Sequence, residues 1–316
     1  MDNPKVSIII LNWNGLEDTI ECLESLKKIT YPNYEIIVVD NGSRGNDAQV
    51  LRERFGDHVH LIRNEKNYGF AGGNNIGMKY ALDNSSPDYF LLLNNDTIVD
   101  SSFITEMVKV AETDPTIGIA GAKVYYYSEP ERLQSVWAKI NLWTGQPLYT
   151  PRLVAEGIKE MEIDRGQYDS IREVDWVTGC CFLIKKEVVE TIGLLDEGYF
   201  CYWEDTDYCI RTTRGGYKIV YVPEAKVWHK GGRTSKKITG LGCYYGVRSR
   251  FCFMRKHATK WQYLCFLIYF FGLYLWLATG YYLVFHRRPR LVFSYWRGVM
   301  NGLFTSEAEA KFHSEP

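Results

Sequence analysis

Short apolar runs alternate with amphipathic segments along the first hundred residues of the chain. The runs are rich in β-branched and aliphatic residues and cover 6–11, 34–39, 58–62 and 89–93. Between the first two runs, apolar residues recur at helical spacing, at Leu16, Ile20, Leu23 and Leu26. Strands that alternate with helices predict an α/β fold with a mostly parallel central sheet covered by helices on both faces.

The pattern changes in the second half of the chain. Further strands are predicted at 117–127, 174–185 and 216–223. A helix is expected from Lys186 to about Gly193, and Pro223 is expected to end the last of these strands. The segment 128–172 contains three prolines and scattered aromatic residues, so we expect it to be irregular and to pack beside the sheet.

An uncharged apolar segment lies at 261–285 and is long enough to cross a bilayer. Basic residues flank it on both sides: Arg255, Lys256, Lys260, Arg287, Arg288 and Arg290. Basic residues at both ends conflict with the positive-inside rule for a span. The pattern therefore fits a membrane span, an interfacial or re-entrant arrangement, or a buried core or dimer helix. In the first two arrangements the flanking cations would face anionic lipid.

The length and composition narrow the organisation and the partners. The 316 residues suffice for an α/β domain at 1–235 and a helical, membrane-associated region at 236–316. The formal net charge of -1 gives no reason to expect a nucleic-acid partner. The eight Cys form no CxxC pair and no zinc-finger spacing, which predicts buried, reduced thiols. Asp2 and the short run 6–11 argue against a signal peptide, so we expect the α/β domain on the cytoplasmic side.

Polar side chains follow the predicted strands at the points where the strands end. They are Asn12, Asp40, the segment 67–75 and the triplet Asn94, Asn95 and Asp96. Because ligands of open α/β sheets bind at the carboxyl ends of the strands, one ligand could touch all of these groups.

The segment 67–75 and the residues after it could let the backbone approach a nucleotide. The residues in question are Gly69, Gly72, Gly73, Asn74, Asn75 and Gly77. This is neither a GxGxxG motif after the first strand nor a P-loop, which disfavours a Rossmann dehydrogenase and a P-loop kinase.

Each charged candidate also has a purely structural explanation. Asp96 could bind a divalent cation through oxygen, or it could cap a following helix. Asp40 could accept hydrogen bonds from a base or ribose, or it could serve the turn in Asp-Asn-Gly. His229, at a predicted strand end, is structural unless it joins Asp96 at a metal.

A cluster of carboxylates follows the aromatic residues Tyr202 and Trp203. One of Glu204, Asp205 and Asp207 could remove a proton from an acceptor hydroxyl as that hydroxyl attacks a sugar. The alternative is a capping box or a solvated acidic turn.

Several blocks, in this order, resemble glycosyltransferase family 2. They are SIIILNWN at 7–14, VVDNGS at 38–43, NYGFAGGNN at 67–75, LLNND at 92–96, WEDTD at 203–207 and WH at 228–229. The resemblance covers about residues 6–232 and is closest to the rhamnosyltransferase-like branch that builds surface polysaccharides. It implies a GT-A fold, an inverting mechanism, a nucleotide-diphosphate sugar donor, and Mg²⁺ or Mn²⁺.

The resemblance also implies roles for single residues on the donor side. Asp40 matches the position that contacts the base. Asn94, Asn95 and Asp96 match the Asp-x-Asp motif, with Asp96 as its metal-binding residue. His229 matches a late His of the metal or diphosphate site. Asn94 stands where Asp is more usual, and it keeps a hydrogen bond to ribose without carrying a charge.

On the acceptor side, Asp205 matches the catalytic base, with Glu204 as its neighbour in the pair. The donor-binding set that we expect is Asn12, Asp40, Asn67, Gly73, Asn74, Asn94 and Asn95. The aromatic residues 199–203 and the segment 128–172 are expected to shape the acceptor pocket.

The sequence thus predicts a metal-dependent glycosyltransferase that moves a hexosyl or deoxyhexosyl group. A lipid-linked or surface glycan is the expected acceptor, because the C-terminal segment would hold the site near lipid. One alternative is a catalytically idle membrane protein that binds sugar nucleotides or glycans. Another is a sugar-phosphate nucleotidyltransferase, which would need a basic Gly-rich loop near the N-terminus, and residues 12–16 contain no Arg or Lys.

Overall fold

The computed structural model of the chain describes residues 3–149, 162–231, 240–285 and 287–304. The first half is a run of parallel strands, β1 (Val6–Asn12), β2 (Tyr34–Asp40), β3 (His60–Arg63) and β4 (Tyr89–Asn94). Three helices connect them, α1 (Leu16–Leu26), α2 (Asp47–Phe55) and α3 (Gly69–Asn84). Three of the four apolar runs become the buried strands β1, β2 and β4, as expected for parallel strands covered by helices, whereas the edge strand β3 is partly exposed.

The second half completes the sheet from the other side. Its first elements are β5 (Thr97–Val99), α4 (Phe103–Ala111), β6 (Ile117–Tyr126), β7 (Glu129–Ser135), β8 (Ala138–Asn141) and β9 (Gln146–Tyr149). They are followed by β10 (Arg172–Glu173), β11 (Cys181–Lys185), α5 (Lys186–Ile192), α6 (Glu204–Arg214) and β12 (Lys218–His229). The sheet order is β10-β12-β6-β11-β4-β1-β2-β3, with β5 paired to β12 and β7 to β6. Strand β11 is antiparallel to both of its neighbours, β4 and β6.

Two layers of helices cover the sheet. On one face, Leu23 of α1, Leu51 of α2 and Met107 of α4 belong to the same hydrophobic core as Ile8 and Ile10 of β1. On the other face, the core contains residues of α3, α5 and α6 together with Ile9. The alternation of Ile8, Ile9 and Ile10 between the two layers follows from the period of two along a strand. The α/β class and the mostly parallel sheet predicted from the sequence are confirmed.

The glycine-rich segment is the beginning of helix α3, which starts at Gly69. Two local predictions were wrong. The segment 128–172 is not irregular in its first part, because it contains β7, β8 and β9, while 150–161 lies outside the described residues. Strand β12 does not end at Pro223, because a register shift between Val222 and Lys226 lets the strand continue.

The C-terminal helices build a third hydrophobic core. Helix α7 (Leu241–His257) is followed by a continuous helix, here called the apolar helix (Lys260–Val284), and by α10 (Pro289–Phe304). The apolar helix comprises α8 (Lys260–Tyr269), a π-helical turn (Phe270–Tyr274), α9 (Leu275–Gly280) and the start of a second π-helical turn (Tyr281–Phe285). In the part of the chain that the structure describes, it is the one helix long and apolar enough to cross a membrane.

Helices α7 and α10 approach each other closely through glycines. A Cβ on Gly298 would lie 2.5 Å from the carbonyl oxygen of Tyr244, and one on Gly302 would lie 2.9 Å from the Cβ of Phe251. These two positions therefore admit no side chain without separating the helices. The predicted boundary between residues 235 and 236 lies outside the described residues.

Candidate active site

A chain of hydrogen bonds joins the ends of β2, β1 and β4. The Asn12 amide donates to Asp40 Oδ1 at 2.8 Å, and its own oxygen accepts from Thr19 Oγ1 at 2.9 Å. The Asn95 amide donates to the same Thr19 hydroxyl at 2.9 Å. Three of the predicted donor-binding residues are thus held in one network. Thr19 lies in α1, outside every motif, and sequence reasoning missed it.

Asp40 is 1% exposed and is held by more than Asn12. Ser43 Oγ donates to Asp40 Oδ1 at 2.5 Å. Asn12, which donates to Asp40, is itself held by a further hydrogen bond to Asp47 Oδ2 at 3.1 Å. Asp40 therefore belongs both to the Asp-Asn-Gly turn and to the candidate site, because the turn brings the Ser43 hydroxyl to the Asp40 carboxylate. This gives Asp40 a fixed orientation at the end of β2.

A second amide network fixes the start of α3. The Asn41 amide donates to Asn67 Oδ1 at 2.8 Å, and the backbone N–H of Gly69 donates to the same oxygen at 2.8 Å. Gly69 has φ +75, and a Cβ there would lie 2.3 Å from the carbonyl oxygen of Phe200. A glycine is required at this position by both the backbone angle and the close approach. The network connects the start of α3 to the loop that precedes α6.

Gly73 and Asn74 pack within the fold. A Cβ on Gly73 would lie 2.3 Å from Leu11 Cδ1, so this glycine lets α3 lie close to β1. Asn74 is 1% exposed, and its amide donates to the carbonyl oxygen of Phe70 one turn earlier at 2.9 Å. Of the polar groups at the strand ends, Gly73 approaches the Asn41 amide, because a Cβ on Gly73 would lie 3.0 Å from the amide nitrogen.

Asp96 does not precede a helix. The residues after it form β5, and α4 begins only at Phe103, which excludes the helix-cap explanation of this carboxylate. The structure instead brings Asp96 to the end of β12, where its Oδ1 lies 3.0 Å from Nε2 of His229. The Asn94 amide lies 3.3 Å from the same nitrogen. The pairing of β5 with β12, which sets Thr97 opposite His229, produces this approach.

The orientation of His229 is fixed from its other side. Its Nδ1 lies 2.5 Å from Oε1 of Gln134, which is an acceptor, so Nδ1 carries a proton and donates to Gln134. In the neutral ring, Nε2 then presents its lone pair towards Asp96. Gln134 lies in β7, inside the segment predicted to be irregular, and sequence reasoning missed it.

The pair of Asp96 and His229 fits a divalent cation. A carboxylate oxygen and an imidazole nitrogen lie 3.0 Å apart and could both bind one cation, the carboxylate being a ligand that suits Mg²⁺ or Mn²⁺ and the imidazole one that suits a transition metal. Between residues 3 and 304, leaving aside the undescribed stretches, no group of three or more His, Cys, Asp or Glu could hold a metal ion. Two protein ligands leave positions open for diphosphate oxygens and water.

Asp205 lies next to this site because of a single backbone segment. The N–H of Gly179 donates to Asp205 Oδ2 at 2.9 Å, and the N–H of Asn94 donates to the carbonyl oxygen of Cys180 at 2.9 Å. The two neighbours Gly179 and Cys180 thus hold the predicted base and the Asp-x-Asp-like motif together. A Cβ on Gly179 would lie 3.2 Å from the Cβ of Asp205, so this glycine makes room for the carboxylate. Gly179 was also missed by sequence reasoning.

The environment of Asp205 makes it a stronger base than an exposed carboxylate. Burial raises the pKa of Asp205, although hydrogen bonds from Gly179 and Thr206 act in the opposite direction. Glu204 is 6% exposed, and its Oε2 has no hydrogen-bond partner among the described residues. Burial, and the charge of Asp205, raise the pKa of Glu204 well above its usual range. Of the two, Asp205 is the better candidate for the base, because its hydrogen bonds from Gly179 and Thr206 favour the charged form that accepts a proton.

The loop before α6 is strained. Tyr202 and Trp203 have φ of 65° and 73°, the left-handed region that aromatic residues rarely adopt. Helix α6 starts directly afterwards, at Glu204, and Trp203 provides no side-chain cap. Such strain is found at sites where the surrounding structure holds a functional group in place. The packing that holds it comes from α7, where the Trp203 indole donates to the carbonyl oxygen of Gly246 at 3.0 Å.

Asp207 is neither a base nor part of a solvated turn. It is fully buried and forms ion pairs with Arg211 at 2.8 Å and Lys256 at 2.7 Å. Nε2 of His257 lies 2.6 Å from Asp207 Oδ1. Lys256 and His257 belong to the end of α7, so Asp207 ties α6 to the C-terminal helices.

A protein-family model matches most of the chain. The model for "Glycosyltransferase like family 2" matches residues 4–241. The chain belongs to this family. The resemblance stated from the sequence motifs is therefore confirmed for glycosyltransferase family 2, and relatives include rhamnosyltransferases.

Among curated proteins, members of the family with named activities are similar to this chain. The dTDP-rhamnosyl transferase RfbF of Shigella flexneri is 25% identical over 81% of this chain and 81% of its own length. The rhamnosyltransferase WbbL of Escherichia coli is 26% identical over 78% of this chain and 92% of its own length. The low-salt glycan biosynthesis hexosyltransferase Agl10 of Haloferax volcanii is 28% identical over 68% of this chain, but the match spans only 63% of Agl10.

Solved structures of GT-A enzymes confirm the fold. The mannosyltransferase PcManGT of Pyrobaculum calidifontis, in complex with GDP-Man and Mn²⁺, superimposes with a TM-score of 0.61. It is 14% identical, and the match covers 96% of this chain and 88% of PcManGT. At 14% identity, the likeness shows only that this chain and PcManGT share a fold.

Proposed function

We propose that the protein is an inverting glycosyltransferase that moves a hexosyl or deoxyhexosyl group from a nucleotide-diphosphate sugar to an acceptor hydroxyl. The observation that carries the proposal is the position of Asp205. A half-buried carboxylate of raised pKa is held, through Gly179 and Cys180, beside the strand end that bears Asn94 and Asp96. A base next to a donor-binding edge is what direct displacement at a sugar carbon requires.

On the donor side, Asp40 and Asn12 would bind the nucleoside, since their side chains are fixed at the ends of β2 and β1. Asn67, Asn94 and Asn95 would complete the donor site. Asp96 and His229 would hold Mg²⁺ or Mn²⁺, whose positive charge would neutralise the leaving diphosphate. The relative RfbF, which is named a dTDP-rhamnosyl transferase, supports a nucleotide-sugar donor for this chain.

On the acceptor side, Asp205 would take the proton of the attacking hydroxyl. The oxygen of that hydroxyl then bonds to the anomeric carbon as the bond from this carbon to the diphosphate breaks. Attack from the face opposite the leaving group inverts the anomeric centre, as in one-step inverting hydrolases. Burial beside Asp205 favours the neutral form of Glu204 by raising its pKa, and this would keep a second negative charge away from the base.

The acceptor that we propose is a lipid-linked or surface glycan. A relative from Mycobacterium tuberculosis, 23% identical over 76% of this chain, is named as a rhamnosyltransferase acting on N-acetylglucosaminyl-diphospho-decaprenol. The apolar helix would keep the site of this chain close to such an acceptor, with the catalytic domain on the cytoplasmic side of the membrane.

Nucleotide diphosphate release tests the donor half of the proposal. The detergent-solubilised protein is incubated with UDP-, GDP- and dTDP-sugars, with Mn²⁺, with Mg²⁺ or with chelator. We expect release from one donor, and a loss of about 10²-fold with chelator or in Asp96→Ala, because the leaving charge is then not neutralised. Asp83→Ala, an exposed aspartate of α3, is the matched control. If no donor bound even with a lipid-linked acceptor present, the chain would not be a transferase.

Gln134 gives a second test of the same site. Gln134→Ala removes the acceptor of His229 Nδ1–H, so we expect Mn²⁺ to bind about 10- to 100-fold more weakly in the presence of nucleoside diphosphate. The measurement is Mn²⁺ binding followed by electron paramagnetic resonance. Gln49→Ala, on the exposed face of α2, should leave it unchanged. An unchanged Mn²⁺ affinity in Gln134→Ala would mean that His229 is not a ligand.

A further inference from the structure

The apolar helix and α10 expose large apolar side chains over much of their length. This surface, here called the docking face, includes Trp261, Ile268, Trp276, Leu277, Phe293 and Phe304, each at least 59% exposed. Only 22% of the most apolar 18-residue stretch of the apolar helix is buried. The apolar helix is therefore not the core helix of a compact soluble domain. An apolar surface of this extent marks a site of interaction with another molecule or with lipid.

The opposite side of the apolar helix is already occupied. Phe266, Phe270 and Tyr274 are buried four residues apart, and the Arg250 guanidinium of α7 lies within 5.5 Å of all three ring centroids. Phe251 of α7 packs edge-on against Phe266 and Phe270. One side of the apolar helix therefore belongs to the protein, and only the docking face is available to lipid.

Helix α7 is locked at the same time to the catalytic domain. The ring of Tyr245 stacks on Phe200 at 4.8 Å, and the Arg250 Nη2 donates to the carbonyl oxygen of Thr144 at 2.7 Å. Ser249 Oγ donates to the carbonyl oxygen of Cys201 at 3.2 Å. If the apolar helix crossed a bilayer, α7 would enter the hydrocarbon beside it, and the charged groups and polar loops bound to α7 would follow. Such groups are strongly disfavoured there.

The charges around the docking face complement an anionic surface. No Asp or Glu occurs in the sequence between Glu224 and Glu307. Exposed cations lie at both ends of the apolar helix, Lys260 at one end and Arg287 and Arg288 at the other. Both ends would meet anionic headgroups if the helix lay along the membrane, whereas a span would place one end on each side.

We propose that the docking face rests in the plane of an anionic bilayer surface, so that the apolar helix lies along one leaflet and does not cross the membrane. The exposed Trp, Leu, Ile and Phe side chains enter the boundary between headgroups and acyl chains, as in interfacial helices. This inference deepens the membrane placement proposed above. Lipid binding and sidedness are measured without sugar transfer, so its failure is distinguishable from failure of the transferase proposal.

The decisive experiment determines on which side of the membrane each end of the apolar helix lies. Full-length Lys260→Cys and Arg288→Cys are made in a Cys265→Ser background, because Cys265 is exposed on the apolar helix. Inverted membrane vesicles from the expression host are treated with a membrane-impermeant maleimide, with and without detergent. We expect both cysteines to react equally before detergent is added. Reaction of only one of them before detergent would establish a span and overturn the proposal.

Vesicle binding tests the docking face itself. The purified protein is sedimented with phosphatidylcholine vesicles with and without phosphatidylglycerol. We expect binding to the anionic vesicles, and a loss of about tenfold or more in Trp276→Glu with Leu277→Glu, since a buried apolar side chain contributes at least that factor. Ile171→Glu, which changes an exposed apolar residue of the catalytic domain, is the matched control. Failure to bind anionic vesicles would show that a surface other than lipid covers the docking face. A dimer in detergent-free solution that Trp276→Glu dissociates would show that a second copy of the chain covers it.

Discussion

Asp205→Asn is expected to lower the rate of sugar transfer by about 10²- to 10⁴-fold while leaving donor affinity unchanged. The amide keeps the size of the carboxylate and its place beside Gly179, but it cannot take the proton of the acceptor hydroxyl. Transfer to a supplied acceptor and direct donor binding are the two measurements. Asp83→Asn on α3 provides the control for an Asp-to-Asn change elsewhere on the surface.

The acid limb of the pH profile gives a second readout for Asp205. Because burial raises its pKa, the base becomes protonated at a higher pH than an exposed aspartate, whose pKa is about 3.9. The kcat/KM should therefore fall as the pH decreases through a value above about 4, and this limb should be absent from the residual activity of Asp205→Asn. An Asn variant that keeps full activity, or the same acid limb, would assign the base to another group.

Asp207→Ala is expected to lower the free energy of unfolding by about 3–5 kcal/mol. The change leaves Arg211, Lys256 and His257 around a buried site without their carboxylate. Thermal unfolding in detergent should show a Tm about 10 °C lower. Asp114→Ala, which breaks the more exposed ion pair with Lys218, should leave the Tm nearly unchanged.

The stability contributed by Asp207 should also depend on pH. Burial alone would raise its pKa, but the His257 hydrogen bond and the charges of Arg211 and Lys256 hold the pKa of Asp207 well below its usual range. A carboxyl of depressed pKa stabilises the fold fully above its unfolded value of about 4, and this stabilisation is lost as the pH falls below it. The difference in Tm between the parent protein and Asp207→Ala should therefore shrink below about pH 4. An equal Tm of the two proteins at neutral pH would show that α6 does not depend on this cluster.

The sequence predicted those parts of the fold that local patterns determine. The apolar runs became β1, β2 and β4 because a strand buried on both faces needs such residues throughout. Local pattern does not specify the direction of a strand within the sheet, so the antiparallel β11 was not anticipated. Pro223 was expected to end a strand, but a bulge allows β12 to continue to His229.

The candidate site was predicted where it follows strand ends, and it was incomplete where it depends on tertiary pairing. Asp40, Asp96 and Asp205 stood out as carboxylates in motifs. Gln134, Gly179 and Thr19 act through partners far away in sequence, and their types carry no local signal. The role of Asp207 was hidden for the same reason, because two of its partners, Lys256 and His257, lie about 50 residues further along the chain.

Helix α7 is attached to the loop before α6. The part of the chain that folds together is therefore longer than the part that matches the family model. The family match ends at residue 241, where α7 begins. Yet α7 supplies the carbonyl that holds Trp203 and the cations that neutralise Asp207. A fragment cut at the family boundary would keep every proposed donor-binding residue and lose the contacts that hold the loop before α6. The unit that folds around the candidate site therefore extends at least to His257.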